Sequence, residues 1–223
     1  MAKKHIYTIN TNEAEVFLSA IYNPFLKPFK EANPDIKVNN IVDDSLLNDT
    51  RDYGGMTVAI ANRVFNYAKA AELSGADGVL VTCTSVNKAT KMIRPLLNIP
   101  ILNIEEPVAE MAVANGRKIG VLATLSTSPG AISDVIREKA AEQGKEIEII
   151  EKVADGAFDA LRDGNRALHD EMVNKALQEL ATEVDCIAFA QISMSLLKHD
   201  PVDVPIYMIG KSGLDCMKEL IGA

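Results

Sequence analysis

The chain has 223 residues, enough for one large domain or two small ones, each with its own hydrophobic core. Its net charge of −8 at pH 7 gives an acidic surface that repels phosphate backbones, so we expect no nucleic-acid partner. The sequence has no apolar run of the roughly 20 residues that a bilayer requires, and no apolar signal segment follows its basic start. We therefore expect a cytoplasmic protein with no membrane partner.

Short β-branched segments alternate with longer helix-like segments along the whole chain. The segments typical of strands are residues 5–9, 36–42, 78–82, 100–104, 118–123, 146–150, 186–190 and 204–208. The segments typical of helices are residues 13–32, 56–74, 86–93, 105–115, 129–143, 165–181 and 212–221. Because nearly every strand precedes a helix, the pattern predicts an α/β fold with parallel sheets and crossover helices.

Two pairs of segments resemble each other in the two halves of the chain. The matching pairs are residues 75–86 with 183–194 and residues 4–10 with 118–124. The first pair places Cys83 opposite Gln191 at an offset of 108 residues, and the second pair has an offset of 114 residues. Repeats in the same order at similar offsets indicate duplicated halves. We predict one half from residues 1–103 plus a C-terminal segment of about 209–223, and a second half from residues 104–208.

Small polar residues follow four of the predicted strands. In open α/β sheets, ligands bind outside the carboxyl ends of the strands. The candidates for substrate binding or catalysis are Asn10 and Thr11; Cys83, Thr84 and Ser85; Thr124, Ser126 and Thr127; and Gln191 and Ser193. If the two halves face each other, we expect these four loops to line one cleft. The three histidines and three cysteines show no metal-ligand spacing, so we expect no metal site.

Cys83 is the strongest candidate for a catalytic residue, because it lies between an apolar strand and a helix predicted to begin near Val86. A helix N-terminus presents free N–H groups and a partial positive charge, which favour a thiolate nucleophile or base. Thr84 and Ser85 are placed to cap that helix and to donate to a substrate carboxylate. Cys186 and Cys216 lie within a predicted strand and a predicted helix, so we expect them to be structural.

A predicted loop joins the second strand to the next helix. Arg51, Asp52 and Tyr53 precede the pair Gly54–Gly55 in this loop. These residues either gate the cleft or form a solvated turn, and the sequence leaves both readings open.

Three segments resemble the aspartate/glutamate/hydantoin racemase superfamily, which also includes maleate isomerase and arylmalonate decarboxylase. They are Asp77–Ser85, Lys118–Thr124 and Pro100–Pro107. The resemblance extends over nearly the whole chain. It implies two Rossmann-like halves related by pseudo-two-fold symmetry, with the active site between them and neither a metal nor an organic cofactor. Dimers are common among proteins that resemble this one, so we expect a homodimer.

The resemblance also implies roles for individual residues. Racemases of this group use two cysteines on opposite faces of the α-carbon, and Cys83 falls on the first position. The second position falls on Gln191, whose amide has no titratable proton and cannot act as a general base. The acidic residue of the family after the first strand is replaced by Asn10. Because basic residues are scarce near these motifs, we expect dipoles rather than ion pairs to hold the substrate carboxylate.

The sequence therefore predicts a cofactor-independent isomerase of the racemase family, acting at the carbon next to the carboxylate of a small acid. The single thiol of Cys83 would carry the reaction, and Gln191 would orient the substrate or hold an enolate-like intermediate. The alternatives are a decarboxylase of a malonate-like acid, a racemase that recruits a different second acid, and a non-catalytic protein that binds a small carboxylate.

Overall fold

A computed structural model describes residues 3–124 and 129–223 of the chain. The chain divides into two units, one formed by Met1–Ile104 with Gly210–Ala223 and the other by Glu105–Ile209. Each unit contains a four-stranded sheet whose described strands are all parallel, with helices packed against it. The predicted α/β fold with parallel sheets is confirmed.

The strands of the two sheets follow the same spatial order. In chain order they are β1 (Lys4–Asn10), β2 (Ile36–Val42), β3 (Gly78–Val81), β4 (Ile101–Asn103), β5 (Lys118–Ala123), β6 (Glu148–Val153), β7 (Cys186–Phe189) and β8 (Ile206–Tyr207). The first sheet has the order β2-β1-β3-β4 and the second has the order β6-β5-β7-β8. Strands β3 and β7 therefore hold the same place, each beside the first strand of its sheet.

Helices connect these strands. In chain order they are α1 (Ala14–Val16), α2 (Lys27–Ala32), α3 (Leu46–Asp52), α4 (Val58–Leu73), α5 (Asn87–Ile93), α6 (Glu106–Asn115), α7 (Pro129–Glu142), α8 (Ala157–Arg162), α9 (Arg166–Ala181) and α10 (Lys211–Leu220). Shorter 3₁₀ turns span Thr84–Val86, Arg94–Leu96 and Ile192–Leu196. Within the described ranges, no helix is both long enough and apolar enough to cross a bilayer.

Local sequence explains where the two longest α-helices begin. The Thr57 side chain accepts a hydrogen bond from the amide of Ile60 at 3.3 Å and so caps α4. Asn165 does the same for α9, where its side chain accepts from the amide of Leu168 at 3.1 Å. Each cap satisfies one of the free amides that a helix start leaves unpaired.

In the first unit, two predicted segments differ from the structure. The segment predicted as one helix over residues 13–32 is interrupted by π-helical turns at Phe17–Leu26, which contain Pro24. A proline has no amide hydrogen, so it cannot continue the α-helical ladder there. The loop predicted around Arg51 is largely helix α3, which the sequence analysis missed because its seven residues are too few to show a clear helical period.

The hydrophobic cores lie between each sheet and its helices. All four residues of β3 and all four of β7 are buried, as expected for strands covered on both faces. In the first unit, Val64 of α4 packs in one cluster with strand residues such as Val81. In the second unit, Leu177 of α9 packs in one cluster with Phe189. The close packing of these cores keeps the strand ends that carry the candidate residues in fixed positions.

Candidate functional site

Cys83 and Gln191 occupy equivalent positions in their units. Cys83 lies two residues beyond β3, and Gln191 lies two residues beyond β7. Each has an extended backbone, with φ −136° and ψ 125° at Cys83 and φ −138° and ψ 141° at Gln191. Each is followed directly by a 3₁₀ turn. The same local geometry therefore presents a thiol in one unit and an amide in the other.

The thiol of Cys83 is half-buried and contacts a hydroxyl. Its Sγ lies 3.0 Å from Oγ of Ser85, and either atom can be the donor. The expectation that Thr84 and Ser85 cap the next helix was wrong, because they lie in the 3₁₀ turn and α5 begins at Asn87 with no side-chain cap. Ser85 is instead free to hold the sulfur in place.

The other two cysteines differ from Cys83 in their surroundings. Cys186 is buried, and its Sγ lies 3.6 Å from the carbonyl oxygen of Ala112. Burial, with a smaller contribution from the charge of Asp185, raises the pKa of Cys186 to about 11. This thiol therefore stays protonated and unreactive at neutral pH. Cys216 lies half-buried in α10.

The side chain of Gln191 has a fixed orientation. Its Oε1 accepts hydrogen bonds from the backbone amide of Thr124 at 2.7 Å and from the Thr124 hydroxyl at 3.0 Å. A backbone N–H can only donate, so the atom that faces it must be the amide oxygen rather than the amide nitrogen. With the oxygen occupied in this way, Gln191 offers its Nε2 hydrogens as donors.

Asn10 is committed to a buried network in the first sheet. Its Oδ1 accepts from the Thr82 hydroxyl at 2.6 Å, and its Nδ2 donates to Thr8 Oγ1 at 2.9 Å and to the Ile41 carbonyl at 3.0 Å. Thr8 in turn donates to Asn40 at 2.7 Å. Asn10 is fully buried, with 0% of its surface exposed. The network ties the end of β1 to Thr82, the residue before Cys83.

The remaining predicted site residues are placed as follows. Thr11 is fully buried, and its hydroxyl has no hydrogen-bond partner among the described residues. Thr84 and Ser193 are half-buried within 3₁₀ turns. Ser126 and Thr127 lie outside the described residues. The structure thus joins Asn10 to Thr82 beside the thiol, and Thr124 to Gln191.

Sequence analysis did not single out a charged cluster beside the end of β2. Arg63 of α4 donates to Asp43 and to Asp49, and the Tyr67 hydroxyl donates to Asp43 at 2.6 Å. Burial alone would raise the pKa of Asp43, but hydrogen bonds from Tyr67, Arg63 and Ser45 hold it below its ordinary value. Burial, and then the bond to Asp43, raise the pKa of Tyr67. The four-residue spacing of Arg63 and Tyr67 on one helix face was the available signal.

Over residues 3–124 and 129–223, no group of three or more His, Cys, Asp or Glu side chains is arranged to hold a metal ion.

Known proteins resemble this chain in sequence and in fold. A model of the Asp/Glu/hydantoin racemase family matches residues 41–215. Allantoin racemase from Klebsiella pneumoniae superposes with a TM-score of 0.68 at 16% identity, covering 98% of this chain and 87% of that chain. An aspartate racemase homologue from Pyrococcus horikoshii OT3 superposes with a TM-score of 0.69 at 16% identity, covering 99% of this chain and 100% of that chain. Unliganded arylmalonate decarboxylase superposes with a TM-score of 0.57 at 14% identity, covering 99% of this chain and 93% of that chain. At these identities the structural matches establish a shared fold.

We predict that Asn10→Asp destabilises the protein in a pH-dependent way. The change would turn a donor into an acceptor opposite the Ile41 carbonyl and a Thr8 hydroxyl whose hydrogen is already used. Loss of these bonds should lower the free energy of unfolding by about 1–3 kcal/mol at pH 8. The deficit should shrink near pH 4, because protonating the new carboxyl restores a donor.

Urea denaturation at both pH values measures this effect, and Asn12→Asp is the matched control. It makes the same chemical change two residues farther on, at a partly exposed position. An equal loss in both variants, or a loss at Asn10 that does not depend on pH, would contradict the network.

Proposed function

Because the chain belongs to the Asp/Glu/hydantoin racemase family, we propose that it acts at the carbon next to the carboxylate of a small acid through the single thiol of Cys83. It is an enzyme of the aspartate/glutamate racemase superfamily. Within that family we assign it to cofactor-independent isomerases that use one proton-transfer group.

One observation supports the proposal most strongly, namely the bonding of the Gln191 side chain. Its oxygen is occupied by Thr124, so Gln191 presents only N–H donors and has no titratable proton for general acid–base catalysis. Of the residues at the two equivalent strand ends, Cys83 is therefore the one with acid–base chemistry. Such a pair suits proton transfer by sulfur and anion stabilisation by the amide.

The proposed reaction has two proton transfers. The Cys83 thiolate takes a proton from the α-carbon, and the electron pair of the broken C–H bond moves into the carboxylate to give an enolate-like dianion. The Gln191 Nε2 hydrogens stabilise the charge that develops on oxygen. The Cys83 thiol then gives a proton to carbon, either the one it removed or one exchanged with solvent. With one thiol, both transfers occur on one face, which favours a proton shift between two carbons over inversion at one carbon.

The other candidate residues take supporting roles in this proposal. Thr84, Ser85 and Ser193 would hold carboxylate oxygens through hydroxyl or backbone dipoles, as would Thr11, Ser126 and Thr127. Thr124 would instead orient Gln191, because its amide and hydroxyl hydrogens are both donated to that side chain. Asn10 is better suited to positioning, because all of its side-chain hydrogen-bonding groups are already used inside the sheet. It would fix the β1 end and Thr82, and through Thr82 the backbone before the thiol.

A decarboxylase of a malonate-like acid is the second candidate. Loss of CO₂ from a malonate generates the same enolate-like anion without a base, so the reaction requires only one proton donor, on one face. The Cys83 thiol would protonate the carbon, and the resulting thiolate would recover its proton from water. The single thiol favours this reaction as much as the isomerisation, and the fold likeness to arylmalonate decarboxylase is compatible with it.

We predict that Cys83→Ala and Cys83→Ser lower kcat by about 10²–10⁴-fold, the usual contribution of a general acid–base group. The substrate is first identified with the unaltered protein on a panel of aspartate, glutamate, allantoin, arylmalonates and small α-substituted acids. Chiral chromatography and CO₂ release then report turnover. Cys216→Ala, which removes another half-buried thiol, should retain activity. Unchanged turnover in Cys83→Ala would refute the role of the thiol.

We predict that Gln191→Glu raises KM about 10- to 100-fold, as expected from losing a hydrogen bond to a charged group. The new carboxylate can still accept from the Thr124 amide and hydroxyl, so the unfolding midpoint should hardly change. It offers no donor, however, and it repels an anionic substrate.

Steady-state kinetics measure this change on the substrate found above. Gln143→Glu adds the same charge at an exposed position and serves as the control. A KM that is equal in both variants would show that Gln191 does not hold the substrate.

A further inference from the structure

Arg63 lies in the middle of α4 and binds three side chains of the segment that follows β2. Its Nη1 donates to Asp49, and its Nη2 donates to Asp43 and, at 2.6 Å, to Ser45 Oγ. Asp43 is the better shielded of the two carboxylates, with 9% of its side chain exposed against 35% for Asp49. One guanidinium therefore holds both the connection between β2 and α3 and the body of α3.

The segment held by Arg63 in turn supports the end of β1. The amide of Asp43 donates to the Asn10 carbonyl at 2.9 Å, and the amide of Leu47 donates to the Thr11 carbonyl at 3.2 Å. The first bond continues the pairing of β1 and β2 beyond the last paired residues of the sheet, and the second ties α3 to the residue after β1. The position of α3 is therefore coupled to the backbone of two candidate site residues.

Helix α3 also packs against the 3₁₀ turn Thr84–Val86. That turn carries Ser85, whose hydroxyl contacts the sulfur of Cys83 at 3.0 Å. We propose that Arg63 is a positioning residue, which holds α3 against this turn and so fixes the hydroxyl and the thiol relative to each other. This inference rests on the proposed role of Cys83.

Electrostatics make Arg63 the critical part of this arrangement. Two carboxylates that bind one guanidinium are drawn together only while the guanidinium is present. Without Arg63, Asp43 and Asp49 would repel each other, and Asp43 would lose a charge-assisted bond in a poorly exposed position. A lysine has one point charge in place of a planar fork, so it cannot bind both carboxylates with the same geometry.

The other end of α3 is closed by two glycines, whose amides donate to carbonyls of its last turn at 2.9 and 2.8 Å. Gly54 and Gly55 have φ values of 68° and 138°, which are favoured by glycine, and an added Cβ would meet nothing within 4 Å at either residue. Arg51, Asp52 and Tyr53, which precede these glycines, are exposed. Helix α3 is thus a short element that ends in a glycine cap and is attached to α4 through the side chain of Arg63.

The test compares Arg63→Ala, Arg63→Lys and the control Lys69→Ala. Lys69 lies on the same helix and pairs with Glu72 on that helix. Amide hydrogen exchange is followed at residues 43–53 and 84–86, and iodoacetamide labelling of Cys83 is measured against Cys216 within the same molecules. Global destabilisation would raise the labelling of both cysteines, whereas loss of positioning alters their ratio.

For Arg63→Ala we expect faster exchange in both segments and a rise of about fivefold in the Cys83-to-Cys216 labelling ratio, the size expected from one lost hydrogen bond. Arg63→Lys should give an intermediate labelling ratio, and Lys69→Ala should give the ratio of the parent protein. Millimolar methylguanidinium should return the ratio of the alanine variant toward that of the parent protein.

A labelling ratio that is unchanged in Arg63→Ala, with normal exchange at residues 84–86, would overturn the inference. If Cys83 of the parent protein resists labelling, the proposed function fails instead. Exchange at residues 84–86 then decides the role of Arg63: a rise supports it, and no change overturns it.

Discussion

Parallel pairing of the two central strands of each sheet is the constraint on which the candidate site depends. In the first sheet Ile9 pairs with Val81, and the amide of Thr82 continues the ladder by donating to Ile9 at 3.0 Å. In the second sheet Leu122 pairs with Phe189, and the amide of Ala190 donates to Leu122 at 2.9 Å. Because the strands are parallel, their carboxyl ends and the residues that follow meet at one edge of each sheet.

The register of these strands also decides what each polar side chain can do. It places Asn10 beside Thr82 and Thr124 beside Gln191, so that each amide finds its partners on the neighbouring strand. Both side-chain amide oxygens accept hydrogen bonds from the protein, but the two amide nitrogens differ in their hydrogen bonding. That of Asn10 is bound inside the sheet, whereas in our proposal that of Gln191 donates to the substrate. The proposal thus gives two similar side chains different tasks, one in positioning and the other in binding an anion.

The strands and most helices could be predicted from sequence because they are long or strongly apolar, as the wholly buried β3 is. Helix α3 could not be predicted, because it is short and its position depends on a side chain 14 residues beyond Asp49 in the sequence. For the site, the strand-end position of Cys83 was evident from sequence alone. The orientation of Gln191 and the burial of Asn10 were not, because both depend on partners that lie 67 and 72 residues away in the sequence.

We propose above all that a single thiol transfers protons on one face of the substrate. Turnover in D₂O, followed by NMR with chiral analysis of the product, tests it most directly. The account predicts that deuterium enters on one face only, and that Cys83→Ala abolishes this incorporation. Equal incorporation on both faces by the unaltered protein would require a second acid–base group and would contradict the account.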